Sequence, residues 1–202
     1  ESRDFDIVHL HFDNYLNFFE DIKCKNFFVT SHYGNLPNEK NYEPFYWNIF
    51  YSFLETNHRI IALSPEIKEK YESYGLSKDK CLVVHNGVES DKFIFNHDCE
   101  LTDRTIYFGR LEKRKGQHLF CNKTGFNFDF VGNVGDLHNL SFSEENRYLG
   151  AWSKQKVYTD LTKYANMALI SYGEAHPLVC MESLSAGLGV VVTIAGLLTK
   201  FN

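Results

Sequence analysis

The sequence lacks the features that mark several common classes of protein. None of its apolar runs approaches the ~20 residues that a membrane-spanning helix needs. No secretory signal is visible at its start. The net charge of -5 argues against a nucleic-acid partner, because such a partner requires a basic surface.

Cysteines are also few. The five cysteines are odd in number and widely spaced, and no two form a Cys-x-x-Cys pair. This pattern predicts reduced thiols and a cytoplasmic protein. His9 and His11 alternate along a strand and so face the same side, but the sequence places no carboxylate or cysteine beside them. We therefore predict no metal site.

The chain has no Gly-x-Gly-x-x-Gly turn, by which dinucleotide-dependent oxidoreductases hold a pyrophosphate. Gly132-Asn133-Val134-Gly135 has the wrong spacing for that motif. We therefore rank an oxidoreductase low among the candidate functions.

Short apolar runs alternate with helical segments along the whole chain. The predicted strands are 5–10, 27–31, 59–64, 81–85, 105–109, 128–132, 167–171 and 190–193. The predicted helices are 42–57, 65–74, 154–164 and 177–186. Several of the strands are apolar without alternation, which is typical of strands buried on both faces of a parallel sheet. The pattern predicts α/β architecture.

The polar segment 96–103 interrupts this alternation. We place a domain boundary there, with an N-terminal domain of residues 1–97 and a C-terminal domain of residues 98–202. Each half is predicted to form an open parallel sheet. The first half has no Gly-rich opening turn, so we predict that the N-terminal domain is incomplete.

Two glutamates, Glu174 and Glu182, lie near the end of the chain with seven residues between them. Glu174 falls in the loop after a predicted strand, and Glu182 falls inside the predicted helix 177–186, where Pro177 suits the first helical position. The amides at the start of a helix carry partial positive charge and bind anions. Two carboxylates beside an anion site suit a ligand with hydroxyls at both ends and a phosphate between them, such as a nucleotide-sugar.

Three other loops follow predicted strands. In the basic loop 109–116, Arg110 can fork onto a phosphate and Lys115 can supply a point charge, although a solvated charged loop is the alternative. Asn86-Gly87 predicts a tight turn with positive φ. His32 can donate to a sugar hydroxyl or act as a base, and a structural histidine is its alternative.

Taken together, these segments resemble retaining glycosyltransferases of family 4. The segments that carry the resemblance are Asp6-Ile7-Val8-His9, residues 59–64, His85-Asn86-Gly87-Val88 with Lys92-Phe93, Gly109-Arg110-Leu111 with Lys115-Gly116, Val157-Tyr158 through Ala165-Asn166, and the Glu174–Glu182 pair. The resemblance runs from about Asp6 to about Thr193. It implies the GT-B fold, in which two Rossmann-like parallel-sheet domains face each other across a cleft.

The resemblance also implies roles for individual residues. It implies that Arg110 and Lys115 bind the donor diphosphate, that Glu174 binds the donor sugar and that Glu182 binds the ribose. His32 is implied to lie near the donor sugar and the acceptor. We therefore predict His32 and Glu174 as catalytic residues, and the predicted donor-binding residues are Gly109, Arg110, Lys115, His176, Pro177, Leu178, Val179 and Glu182.

The predicted function is transfer of a hexosyl group from a nucleotide-diphosphate sugar to an acceptor hydroxyl, with retention of configuration. The acceptor is an unknown glycan, lipid or small molecule, and peripheral contact with a membrane is left open. We expect no cofactor and no essential metal, because Arg110 and Lys115 replace the ion at the diphosphate in this family. The alternative is a non-catalytic nucleotide-sugar-binding module, which the missing Gly-rich loop favours.

Overall fold

The computed structural model describes residues 5–12, 22, 24–32, 44–95, 98–174 and 176–193. These residues form two compact units, the first extending to Asn86 and the second beginning at Gly87. The division lies earlier in the chain than the boundary predicted after residue 97. Segment 87–95 belongs with the second unit, where Phe93 packs edge-on against Tyr158 with the ring centroids 5.1 Å apart.

A parallel four-stranded sheet forms the first unit. Its strands are β1 (Phe5–Leu10), β2 (Cys24–Ser31), β3 (Arg59–Ala62) and β4 (Cys81–Val83), and its helices are α1 (Pro44–Leu54) and α2 (Pro65–Ser73). The strands lie side by side in chain order, and each neighbouring pair is parallel. Every one of these elements is predicted from the sequence, although β2 begins earlier, and α1, α2, β3 and β4 end earlier, than predicted. The predicted start of α1 at residue 42 lies outside the described residues.

The ends of α2 follow the signals in the sequence. Ser64 caps the helix, because its Oγ accepts a hydrogen bond from Ile67 N at 3.4 Å, and Pro65 is the first helical residue. Gly75 follows the helix at a φ of 96°, a left-handed conformation that suits glycine.

The Asn-Gly turn predicted after β4 is wrong. The chain forms no turn there, and the φ of Gly87 is not positive. Two contacts hold the segment on its course: Val84 N donates to Ala62 O at 2.9 Å, and His85 Nδ1 lies 2.9 Å from Leu63 O. The chain therefore continues alongside the residues that follow β3 instead of reversing.

A parallel five-stranded sheet forms the second unit. Its strands are β5 (Leu101–Phe108), β6 (Phe128–Val131), β7 (Arg147–Tyr148), β8 (Tyr164–Leu169) and β9 (Gly189–Val192), and its helices are α3 (Lys154–Asp160) and α4 (Leu178–Ser185). The order is β7-β6-β5-β8-β9, so the chain builds outward from β5 and then returns to its other side. Strand order reverses between β5 and β8, and ligands of such sheets bind at the carboxyl ends of the strands flanking that point. The prediction of two Rossmann-like parallel sheets is confirmed.

Several element ends in the second unit differ from the prediction. β5 begins at Leu101, inside the polar segment 96–103 where we place the predicted domain boundary, because Leu101 pairs with Tyr164 of β8. α3 ends at Asp160, and a 3₁₀ turn over Leu161–Lys163 leads into β8, so the helix predicted to reach Tyr164 is too long. β7 is only two residues long and is not predicted at all.

Aromatic side chains fill both cores. In the first unit, the buried rings of Phe27 and Phe53 lie 6.5 Å apart between centroids. In the second, Tyr107 stacks on Phe130 at 5.4 Å. Within α1, the ring of Phe53 is buried and that of Tyr51 is exposed. Among the helices that the structure describes, none has the length and apolarity to cross a bilayer.

The five cysteines are free, as predicted, and three of them are buried. Burial raises the pKa of Cys81 to about 11 and that of Cys180 to about 12. Both thiols are therefore protonated near neutral pH and poor nucleophiles.

Candidate functional site

Two loops meet at the carboxyl ends of β5 and β8, where the strand order reverses. The first loop, 109–116, follows β5, and the second, which begins at Ile170, follows β8. Their main chains are joined directly: Tyr172 N donates to Arg114 O at 2.8 Å, and Ser171 Oγ donates to the same oxygen at 3.2 Å. The two loops carry most of the predicted donor-binding residues.

Tyr107 and Gly116 fix the first loop against the second. The Tyr107 hydroxyl donates to Lys115 O at 2.7 Å and accepts from Ile170 N at 2.9 Å. Gly116 has a φ of 74°, and a Cβ there would lie only 2.3 Å from Ile170 O. Glycine is therefore needed both for the conformation and for the close approach of the two main chains.

Gln117 braces the same loop from inside the core. Its side chain is fully buried, donates from Nε2 to Arg110 O at 2.8 Å and accepts at Oε1 from Glu112 N at 3.3 Å. These bonds satisfy main-chain groups that have no strand or helix partner. The backbone of the loop is thus held by the protein itself.

Lys115 and Glu174 form the central ion pair of the site. Lys115 Nζ lies 2.7 Å from Glu174 Oε1, and the two side chains are only 13% and 9% exposed. Arg114 Nη1 binds the same carboxylate oxygen at 3.1 Å. At this burial the charges are weakly screened, so their mutual attraction is stronger than on an open surface. The structure therefore brings together one residue predicted to bind phosphate and one predicted to bind sugar.

Arg110 lies on the exposed side of this pair. Its guanidinium is 65% exposed and contacts Glu112 Oε1 at 3.0 Å. Glu112 Oε2 in turn lies 3.5 Å from Arg114. Along this series of contacts, from Arg110 through Glu112, Arg114 and Glu174 to Lys115, positive and negative groups alternate. The exposed guanidinium of Arg110 has further N–H groups that can donate to an anion.

The residues before α4 were predicted to present their main chain to a ligand. We predicted Pro177 as the first helical residue of α4, and this is wrong. Pro177 is the N-cap residue instead, because its ψ of 112° is extended. The helix begins at Leu178, and Cys180 N donates to Pro177 O at 3.2 Å. The amides of Leu178 and Val179 are therefore the donors that the helix itself leaves unused at this end. His176 immediately precedes this cap.

Glu182 lies in the second turn of α4. Burial raises the pKa of its carboxyl above the ordinary value, and the charge of Lys154 opposes that rise. Among the residues that the structure describes, none donates a hydrogen bond to this carboxylate. A half-buried acceptor of this kind gains from a ligand that brings its own donors, such as a pair of hydroxyls.

Part of the chain matches a known protein family. Residues 1–92 match the family model of Glycosyltransferase Family 4. The predicted resemblance to family 4 is confirmed for this part of the chain, while retention of configuration stays a prediction. No curated protein sequence matches the chain.

Solved structures of GT-B glycosyltransferases share the fold of this chain. HepE from Anabaena, in complex with UDP-glucose, is 15% identical with a TM-score of 0.72, and the match covers 95% of this chain and 60% of HepE. Sucrose-phosphate synthase from Thermosynechococcus elongatus is 15% identical with a TM-score of 0.72, covering 95% and 57%. WaaG, a glycosyltransferase involved in lipopolysaccharide biosynthesis, is 11% identical with a TM-score of 0.64, covering 89% and 62%. The chain thus spans less than two thirds of the length of these GT-B proteins.

The predicted catalytic histidine lies in the segment that matches family 4. His32 follows β2, and its ring stacks on that of His11 with the centroids 5.8 Å apart. The rings of His9 and His11 are 4.3 Å apart, and His9 Nε2 lies 2.6 Å from Thr30 Oγ1. Partial burial lowers the pKa of His9, and His11 and His32 lower it further. Three imidazoles therefore cluster at the carboxyl end of the first sheet, and in the described ranges no three ligating side chains are placed to hold a metal ion.

Sequence reasoning missed four residues that build the candidate site at the ends of β5 and β8, namely Tyr107, Glu112, Arg114 and Gln117. Glu112 has a base two residues before it, Arg110, and another two residues after it, Arg114. This spacing was a visible signal of an ordered charged loop. Tyr107 and Gln117 gave no such signal, because their roles depend on main-chain groups that only folding brings near. The ligand contacts predicted from the sequence for the catalytic and donor-binding residues stay predictions.

Proposed function

We propose that the chain is a nucleotide-sugar-dependent glycosyltransferase that transfers a hexosyl group to an acceptor hydroxyl with retention of configuration. The observation that carries the proposal is the buried Lys115–Glu174 ion pair, at 2.7 Å, where the strand order of the second sheet reverses. A cation that binds phosphate and a carboxylate that binds hydroxyls stand side by side there. A nucleotide-sugar presents the matching groups in the same order.

Three groups of residues bind different parts of the donor. Lys115 and the exposed Arg110 bind the diphosphate, aided by the amides at the start of α4. Glu174 accepts hydrogen bonds from the hydroxyls of the sugar. Glu182, one turn further into α4, accepts those of the ribose. The HepE structure with UDP-glucose supports a ligand of this class for the shared fold.

The proposed chemistry needs no nucleophile from the protein. The bond between the anomeric carbon and the phosphate oxygen breaks, and its electron pair leaves with the nucleoside diphosphate. The acceptor oxygen bonds to the same face of that carbon, and the departing phosphate oxygen takes its proton. Lys115 and Arg110 stabilise the negative charge that grows on the diphosphate, which is where preorganised cations lower a barrier most. His32, which follows β2, is proposed to hydrogen-bond the acceptor.

A thermal-shift screen of nucleotide-sugars against the full chain tests the proposal, with UDP-glucose as the first ligand. A donor that binds the folded protein raises the melting temperature by mass action. Release of UDP from UDP-glucose, and the anomeric configuration of any product by NMR, then test the reaction. A response to no nucleotide-sugar would overturn the proposal, whereas binding without turnover would favour a non-catalytic binding module.

A further inference from the structure

Arg114 makes more contacts in the site than either of the cations that the family motif supplies. Its Nη1 binds Glu174 Oε1 at 3.1 Å and also donates to Gly173 O, while Nη2 lies 3.5 Å from Glu112 Oε2. Its own carbonyl accepts from the loop after β8, as described above. Arg114 therefore holds both the side chain and the main chain around Glu174.

The ion pairs around Glu174 pose a problem for ligand binding. Lys115 and Arg114 both contact one oxygen of this carboxylate, Oε1. A diphosphate that engages Lys115 draws its ammonium away from Glu174. A carboxylate that is only 9% exposed is costly to leave without a cation, and without one it would lose its orientation.

We infer that Arg114 is the positioning residue that keeps the Glu174 carboxylate paired and correctly oriented once the diphosphate has taken Lys115. This inference rests on the proposed function and extends it. The two cations have different roles. Lys115 exchanges its contact with the Glu174 carboxylate for one with phosphate, while Arg114 keeps its contact with Glu174. Recognition of the sugar thereby depends on Arg114, although Arg114 itself contacts neither the sugar nor the phosphate.

The chemistry of the side chain explains why an arginine serves here. The planar guanidinium reaches Glu174 and Gly173 O through one nitrogen and Glu112 through another, which a single ammonium cannot do. A lysine at this position would keep the charge and lose part of the geometry. Arg114→Lys is therefore expected to have an effect between those of the wild type and Arg114→Ala.

The test compares UDP-glucose with UDP, which lacks the sugar, by calorimetric titration of the full chain. In Arg114→Ala the Kd for UDP-glucose should rise about ten-fold, the loss of roughly one charge-assisted contact. The Kd for UDP should change less than about two-fold, because the phosphate still has Lys115. Lys113→Ala is the matched control, since Lys113 is an exposed cation on the same turn, and it should leave both values unchanged.

A double-mutant cycle shows whether Arg114 acts through Glu174. In a Glu174→Ala background, Arg114→Ala should cause no further loss of affinity for UDP-glucose. Equal losses for UDP and UDP-glucose would mean that Arg114 binds phosphate or supports the fold, and would overturn the inference, as would no loss for either. If Arg114→Ala does not fold, Arg114→Lys carries the same comparison. A wild-type chain that binds neither ligand would overturn the proposed function itself.

Discussion

At the scale of single residues, the partly buried carboxyl of Glu182 disfavours folding in its charged form, but it is well placed to accept hydrogen bonds from a ligand. Because burial raises its pKa in the folded chain, the folded state holds a proton more tightly than the unfolded state. Its contribution to stability therefore falls as the pH rises through the interval between the unfolded pKa and the folded one, and it remains lower above that interval.

Replacing this carboxyl tests both halves of that argument. Glu182→Gln should leave the melting temperature at pH 7 unchanged or higher, because no charge is buried, and should weaken the binding of UDP. Melting temperatures from pH 4 to pH 8, measured without ligand, should fall less with rising pH in the variant than in the wild type. A variant that is less stable at pH 7 and binds UDP normally would refute the assignment.

The histidine cluster of the first unit offers a second prediction at this scale. The pKa of His9 should lie below its ordinary value, first because of partial burial and then because of the neighbouring imidazoles. His11→Asn should raise the pKa of His9 only part of the way, since the burial remains. Titration of the His9 ring by NMR measures this directly. No change in the variant would show that the rings are not close in solution.

At the scale of strands and loops, Asp129 of β6 links four strands. Its fully buried carboxylate accepts from Arg104 of β5, Arg147 of β7 and Tyr164 of β8, at 2.9, 2.7 and 2.6 Å. Burial alone would raise the pKa of Asp129, but the hydrogen bonds from Arg147, Arg104 and Tyr164 bring it below the ordinary value. The network therefore stabilises the sheet above the unfolded pKa of this carboxyl, and that stability is lost as the pH falls through the folded pKa.

Removing this charge should destabilise the second unit. Asp129→Asn leaves two arginines without their anion and should cost about 3 kcal/mol, the lower end for a buried pair, because Arg147 is half exposed. Urea unfolding at pH 7 measures the loss, and Asp103→Asn, at an exposed position on β5, is the control. Equal stability of the two variants would mean that the network contributes little.

Gly116 tests how closely the two loops must approach. Gly116→Ala forces a Cβ to within 2.3 Å of Ile170 O at a φ of 74°, whereas Gly150→Ala has the same backbone conformation, at 73°, with no heavy atom within 4 Å. Gly150→Ala should cost about 1 kcal/mol for the left-handed conformation alone. Gly116→Ala should cost more and should also weaken the binding of UDP, since the loops must separate. Similar effects in both variants would show that the close approach is not needed.

At the scale of the whole molecule, the sequence predicts the architecture because strands buried on both faces are continuous apolar runs. It does not predict their ends, which depend on partners across the sheet: Leu101 extends β5 only because Tyr164 lies opposite. The site divides in the same way. Lys115 and Glu174 stand in recognisable motifs, whereas the part played by Arg114 follows from contacts between loops some sixty residues apart in the chain.

The central claim is that the loops after β5 and β8 bind the diphosphate of a nucleotide-sugar through Lys115. Calorimetric titration of the full chain with UDP-glucose tests it most directly, using Lys115→Met and the control Lys113→Ala. The account predicts that Lys115→Met weakens binding about ten-fold to a hundred-fold, as expected for a charge-assisted contact, while Lys113→Ala binds as the wild type does. Equal affinity of the wild type and a folded Lys115→Met variant would contradict it.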